Sequence, residues 1–263
     1  MPPVSEVCGF LNRLAPIELA EKWDNVGLLI GRRSASVQRI LTCLTLTPDV
    51  ASEAVTEGVQ LIISHHPVLF GGAKSISDQT VEGRILLELI EAGIAVYSAH
   101  TRFDSARLGV NQGLAEGFGL EEIVAIRPSE ILPGLGSGRA GRLNLPCSLN
   151  GFLKVVRDVC QAEYVEYCGK AEARVERVAV ACGAAVEFLD DAVAAGCDTF
   201  VTGEARFHSV LEARGKGINL VLMGHYNSER PAMESLARNL NSQFNELDVF
   251  ASCTEADPLR LSH

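Results

Sequence analysis

Leu61-Ile62-Ile63-Ser64-His65-His66-Pro67 is a short apolar run that stops at two adjacent histidines and a proline. The run reads as a buried strand, and Pro67 bars it from continuing inside a sheet. Neighbouring side chains on a strand face opposite ways. Two consecutive histidines therefore serve one site only where the strand has ended and the chain is turning, which is where α/β proteins place their sites.

On either side of this stretch, strand and helix signals alternate. Val4 to Leu14 has helical spacing. Trp23-Asp24-Asn25-Val26-Gly27 leads into a strand at Leu28 to Ile30, and Arg39 to Leu46 is a second strand. Thr47 and Pro48 open a helix that Gly58 ends. After His65-His66-Pro67 come a helix from Gln79 to Ala92, a strand from Ile94 to Ala99 ending in His100, and Asp104 four residues later. A further helix is expected near Val110 to Glu116. Residues 128–150 are rich in Gly, Pro and Ser and read as a linker.

The second half repeats this order. Asn150 to Val159 is a helix, Val178 to Cys182 a strand, and Ala184 to Ala195 a helix ended by Gly196. Thr199 to Thr202 is a strand entering Gly203-Glu204. A helix lies around Val210, and Ile218 to Gly224 is a strand ending in His225, with Glu229 four residues on. Val-Tyr-Ser-Ala-His-x-x-x-Asp in one half thus answers Val-Leu-Met-Gly-His-x-x-x-Glu in the other. The expectation is an internally duplicated α/β fold with mixed sheets covered by helices. Its first unit spans 1–127, its linker 128–150 and its second unit 151–263, and a metal site is shared in the cleft between the units.

Composition narrows the function. Of 263 residues 47% are hydrophobic, ample for a core, and no apolar run approaches the ~20 residues a membrane span needs. The start, Met1-Pro2-Pro3-Val4-Ser5-Glu6, lacks the basic and apolar regions of a signal peptide. A net charge of -10 without a lysine or arginine cluster argues against a nucleic-acid backbone as partner. The eight cysteines are scattered with no Cys-x-x-Cys pair, which suits buried thiols in a reducing, cytoplasmic setting.

His65, His66, His100 and His225 each follow an apolar strand, and with Asp104 and Glu229 they offer donors enough for two divalent ions. Mixed nitrogen and oxygen donors suit zinc, iron, manganese, cobalt or nickel. Either His-x-x-x-carboxylate motif alone is a weak signal, since Glu229 fits the first turn of a helix capped by Asn227 or Ser228. Their recurrence at equivalent places is what points to metal. Asp24 could orient a ligand histidine, and Glu204 and His208 are candidates for proton transfer near the site.

Trp-Asp-Asn-Val-Gly-Leu (23–28), His-His-Pro (65–67), His100 to Asp104, Thr-Gly-Glu (202–204) with His208, and Gly-His-Tyr-x-Ser-Glu (224–229) together resemble the NIF-three-like family, often labelled GTP cyclohydrolase 1 type 2-like. The resemblance covers nearly the whole chain. It implies a dinuclear metal centre held by His65, His66, Asp104, His225 and Glu229, with His100 close by, and a ring-shaped homohexamer. This chain carries Arg102-Phe103 where the family commonly has Asn-Leu, so a cation and an aromatic ring are expected beside the site. The leading expectation is a metal-dependent hydrolase of a nucleotide-like or other small anionic substrate, in which His100, Glu204 or His208 handles protons. The alternative is a non-catalytic protein for metal storage or delivery, or a hexameric scaffold.

Overall fold

A computed structural model describes residues 1–71 and 73–260. Gly72 and residues 261–263 lie outside the described residues. The first elements are α1 (Val4–Leu14), β1 (Gly27–Ile30), β2 (Arg39–Cys43), α2 (Pro48–Thr56), β3 (Leu61–Ser64), α3 (Val81–Glu91), β4 (Ala95–Ser98), α4 (His100–Ser105) and α5 (Val110–Gly117). There follow β5 (Leu120–Val124), β6 (Arg127–Pro128), β7 (Gly136–Ser137), β8 (Arg139–Ser148), α6 (Leu149–Cys160), β9 (Glu166–Cys168) and β10 (Arg174–Ala181). The chain ends with α7 (Leu189–Ala194), β11 (Thr199–Thr202), α8 (Phe207–Lys216), β12 (Asn219–Leu222), α9 (His225–Gln243) and β13 (Asp248–Ala251).

Two compact units result, one of Met1–Phe103 with Ala232–His263, the other of Asp104–Pro231. In the first, five strands lie in the order β1-β4-β3-β2-β13, with β13, β2, β3 and β4 parallel and β1 antiparallel to β4. The central strands are buried on both faces, as strands flanked by crossover helices must be. Leu41, Ile62 and Val96 from the sheet meet Val50 and Ala54 of α2 and Ile85 and Leu89 of α3. Thr47 accepts the Val50 N–H at the start of α2, as expected from the sequence, and Thr80, inside the expected helix from Gln79, instead caps α3 by accepting the Gly83 N–H.

The second unit has six strands in the order β5-β8-β10-β11-β12-β9. Here β10, β11 and β12 are parallel and β9 is antiparallel to β12. The core of this unit joins Ala179, Phe200 and Leu220 to Leu189 and Ala192 of α7 and Ala213 of α8. The duplication is therefore topological: an opening helix, an antiparallel edge strand and three parallel strands with intervening helices recur in order. The copies differ at the far edge, where β13 runs parallel to β2 but β8 runs antiparallel to β10.

Three features depart from the sequence reading. Residues 128–150 are not a linker throughout. They include the ten-residue strand β8, which pairs with both β5 and β10. Charged and glycine residues interrupt its apolar pattern, so Arg139-Ala140-Gly141-Arg142 gives no periodic signal; the Gly-Pro punctuation belongs to the turn joining β6 and β7. The compact units also differ from a division at that segment. Val249 of β13 pairs with Ile40 of β2, so the C-terminal strand is part of the first sheet. The helix expected over Ala184 to Ala195 is a short 3-10 turn at Val186–Phe188 followed by α7.

Arg102 illustrates how burial is reconciled with charge. It is 1% exposed, its Nε and Nη2 donate to the Ala15 carbonyl, and Nη2 also donates to Asn12 Oδ1 at 2.9 Å. The Tyr97 hydroxyl donates to the same Asn12 oxygen. Arg102→Ala removes the donors and leaves buried acceptors, so a loss of about 3 kcal/mol in urea unfolding is expected.

Candidate metal centre

Register places the first cluster. Cys43 on β2 lies opposite Ser64 on β3, and Ser64 opposite Ser98 on β4, so the three strands end level. The ladder then continues one step into the loops. His65 N–H donates to the Cys43 carbonyl at 2.9 Å and His66 N–H to Leu44 at 2.8 Å. His100 N–H donates to the His65 carbonyl at 3.1 Å, and the Ser98 hydroxyl donates to the same oxygen at 2.7 Å. These bonds set the backbones of His65, His66 and His100 side by side beyond the strand ends.

The three imidazoles converge. Ring centroids lie 5.2 Å apart for His65–His66, 5.3 Å for His65–His100 and 5.6 Å for His66–His100. Their potential donor atoms fall within 4.8 Å of one another. Two metal–nitrogen bonds of about 2.0–2.1 Å span up to ~4 Å, so this donor set fits a transition-metal ion with only small ring movements. His65 is buried, and His66 and His100 are partly buried.

Two of the rings are oriented from behind. Asp24 Oδ1 lies 2.7 Å from His100 Nδ1, and Asp24 Oδ2 accepts from the Thr101 N–H and hydroxyl. Burial works against the charge on Asp24, but the hydrogen bonds from His100 and Thr101 outweigh it and hold the carboxyl below its usual range. Thr45 Oγ1 lies 2.8 Å from His66 Nδ1. With Nδ1 so engaged, Nε2 is the donor atom each ring can offer a metal. His100 also has φ 31°, a left-handed conformation uncommon for a non-glycine residue, at the first position of α4. Asp24→Asn keeps the shape but weakens the hold on the ring. Metal affinity is expected to fall about 10- to 100-fold in a chelator competition, with unfolding little changed.

The second unit repeats the device with carboxylates. Ala181, Thr202 and Leu222 align across β10, β11 and β12. The Gly203 N–H donates to the Gly183 carbonyl, and the Gly224 N–H to the Gly203 carbonyl. His225 opens α9, its Nε2 lying 3.1 Å from Glu229 Oε2 and its Nδ1 3.2 Å from Glu204 Oε1. The bond to Glu229 overrides burial and, with Glu204, raises the His225 pKa to about 9. Between these two carboxylates the ring is held as an imidazolium whose proton a metal ion would displace. Asp104 Oδ1 accepts from the Cys182 thiol at 3.2 Å, and burial followed by the nearby Asp104 and Glu229 charges pushes that thiol well above its ordinary pKa. Cys182 thus stands as a thiol hydrogen-bond donor to Asp104.

Gly183 has φ 66°, and a side chain there would collide with Glu229 Oε1. Its N–H donates to the Ser228 hydroxyl at 2.9 Å. The glycine makes room for the carboxylate, a requirement the sequence reading did not detect.

The other expectations separate clearly. Arg102 and Phe103 do not stand beside the imidazoles. Both are 1% exposed, and Arg102 reaches Ala15 and Asn12. They lie within the short helix α4, whose residues point in successive directions around its axis, so adjacency to His100 in sequence misled. Glu204 is exposed and touches His225. His208 is exposed on α8, and the ring contact described for it is with Phe207 at 5.8 Å. Trp23 and Phe70, by contrast, pack on His100 in T-shaped contacts with centroids 5.8 and 5.9 Å apart. Phe70 carried no motif and was missed; only its place three residues after Pro67 marked it.

Fold and site together define a duplicated α/β protein with imidazole and carboxylate groups capable of holding metal at its strand ends. The chain belongs to the Duf34/NIF3 (NGG1p interacting factor 3) family, whose model matches residues 2–258. It is 34% identical to a "GTP cyclohydrolase 1 type 2 homolog" of Streptomyces coelicolor, covering 98% of this chain and 94% of the relative. It is 29% identical to a protein of the same name from Clostridium perfringens, covering 97% and 98%. A crystal structure of a Staphylococcus aureus protein superposes with TM-score 0.91 at 27% identity over 99% of both chains.

Proposed function

We propose that His65, His66, Asp104, His225 and Glu229 hold two divalent metal ions, with His100 adjoining them, and that the protein is a metal-dependent hydrolase of a nucleotide-like or other small anionic substrate. The observation that carries this reading is the trio of converging imidazoles, two of them oriented through Nδ1. Structural histidines do not require such paired orientation; metal ligands almost always have it. The relatives named as GTP cyclohydrolase homologues add support for a nucleotide.

A divalent ion held there would lower the pKa of bound water from 15.7 to about 7, providing hydroxide at neutral pH. In this reading His100, oriented by Asp24, and Glu204, 3.2 Å from His225 Nδ1, move protons. Nothing described joins His208 to that work.

The reading further places the protein in the cytoplasm as a homohexamer; among the described residues no helix is long and apolar enough to cross a membrane. Light scattering of the purified chain checks the oligomer. Turnover of a nucleotide and phosphoester panel by metal-loaded protein tests the hydrolase, and Asp104→Ala should abolish any activity found. Rapid transfer of the metal to an apo acceptor without turnover of any substrate would instead establish the delivery role.

A further inference from the structure

Trp23 and Phe70 are 59% and 58% exposed, yet the residues beside them are hydrogen-bonded into the site. The Asn25 N–H donates to Asp24 Oδ1 at 2.8 Å, and the Asn25 side-chain amide donates to the Leu69 carbonyl. The Glu21 N–H donates to Thr101 Oγ1 at 3.0 Å, and Asp24 is held by His100 and Thr101. Both aromatic residues are thereby fixed from behind while their rings remain in water. The two rings lie 5.7 Å apart at 41°, and each stands nearly perpendicular to the His100 ring, at 74° and 69°. Burying a large aromatic ring is among the strongest favourable terms in folding, so a pair fixed in the open beside three imidazoles has a use other than packing.

From this geometry we infer that Trp23 and Phe70 are a stacking platform for a planar heteroaromatic ring, so that the site takes a nucleotide and not a phosphoester lacking a base. The inference rests on the metal-site reading above and names its substrate class. The rings are tilted, and 5.7 Å leaves no room to sandwich a third ring between them. The ligand ring lies on an outer face, with its substituents extending past His100 toward His65 and His66. Stacking of this kind accepts any base, because every base has a π face. The platform therefore fixes the class of substrate; polar contacts choose within it.

Trp23 is the single tryptophan of the chain, so its emission reports directly on the platform. The test uses the full chain loaded with zinc, which has no d-electron transitions of its own. Guanosine 5′-monophosphate should quench Trp23 emission saturably, while ribose 5-phosphate leaves it unchanged. Phe70→Ala should weaken guanosine 5′-monophosphate about 5- to 150-fold, and Trp23→Ala likewise by calorimetry. Both variants should bind ribose 5-phosphate and zinc as the parent does, and Trp23→Phe should recover most of the loss. Equal affinity for the two ligands, or absence of quenching by millimolar nucleotide, overturns the platform. Metal analysis and turnover are scored separately. Quenching without zinc binding or turnover keeps the platform and sinks the hydrolase; zinc binding and turnover with no preference for the base does the reverse.

Discussion

Arg139→Met is expected to cost about 3–5 kcal/mol of stability in urea unfolding, the largest effect of any single substitution outside the site. Arg139 is 2% exposed, and its guanidinium organises the unit that contains it. Nη1 donates to the carbonyls of Gly136 and Gly138 at 2.7 Å, Nη2 to those of Ser105 and Ala106 at 3.0 Å, and Nε to Gln112 Oε1 at 2.8 Å. One planar group thus joins the end of α4, helix α5 and the approach to β8. Methionine nearly fills the volume but donates nothing, leaving buried carbonyls unsatisfied. Lysine keeps the charge but is a point donor that cannot match the fork, so Arg139→Lys should recover less than half of the loss. Equal stability of parent and Arg139→Met would show that water replaces the guanidinium and would remove this centre from the account.

The second large effect falls on the candidate metal centre. Gly183→Ala should lower metal affinity on the order of 100-fold, because the new methyl displaces the Glu229 carboxylate. The left-handed backbone adds about 1–2 kcal/mol of destabilisation. Gly196→Ala separates the two contributions. Gly196 has φ 71° but nothing within 4 Å of an added side chain. That variant should show the backbone cost in unfolding and bind metal normally. If Gly196→Ala lost metal equally, the effect would be general destabilisation and the role assigned to Gly183 would fall.

Arg139 and Gly183 also show what sequence conveys and what it withholds. Elements whose signal is local were readable. The run Leu61-Ile62-Ile63 with Pro67, the Thr47-Pro48 start of α2 and the His225–Glu229 contact at four-residue spacing each carry their physics within a few residues. Asp24 beside Trp23 reads first as a packing and turn element, with orientation of a histidine as the other possibility, and the structure sets its Oδ1 2.7 Å from His100 Nδ1. Interactions between distant segments were not readable. Strand β8 has no apolar periodicity because its partners β5 and β10 supply the pairing. Strand β13 joins a sheet whose neighbouring strand lies some two hundred residues earlier. Arg102 looked like a site residue because it follows His100 closely. Its burial depends on Asn12 and Ala15, which no local pattern links to it.

Metal content tests the central claim most directly. The chain purified without oxygen, loaded with excess divalent metal and desalted, should retain about two ions per chain by elemental analysis, and His65→Ala and Glu229→Ala should each fall below one while keeping the parent circular dichroism. A parent that retains none, or variants that retain as much as the parent, would contradict it.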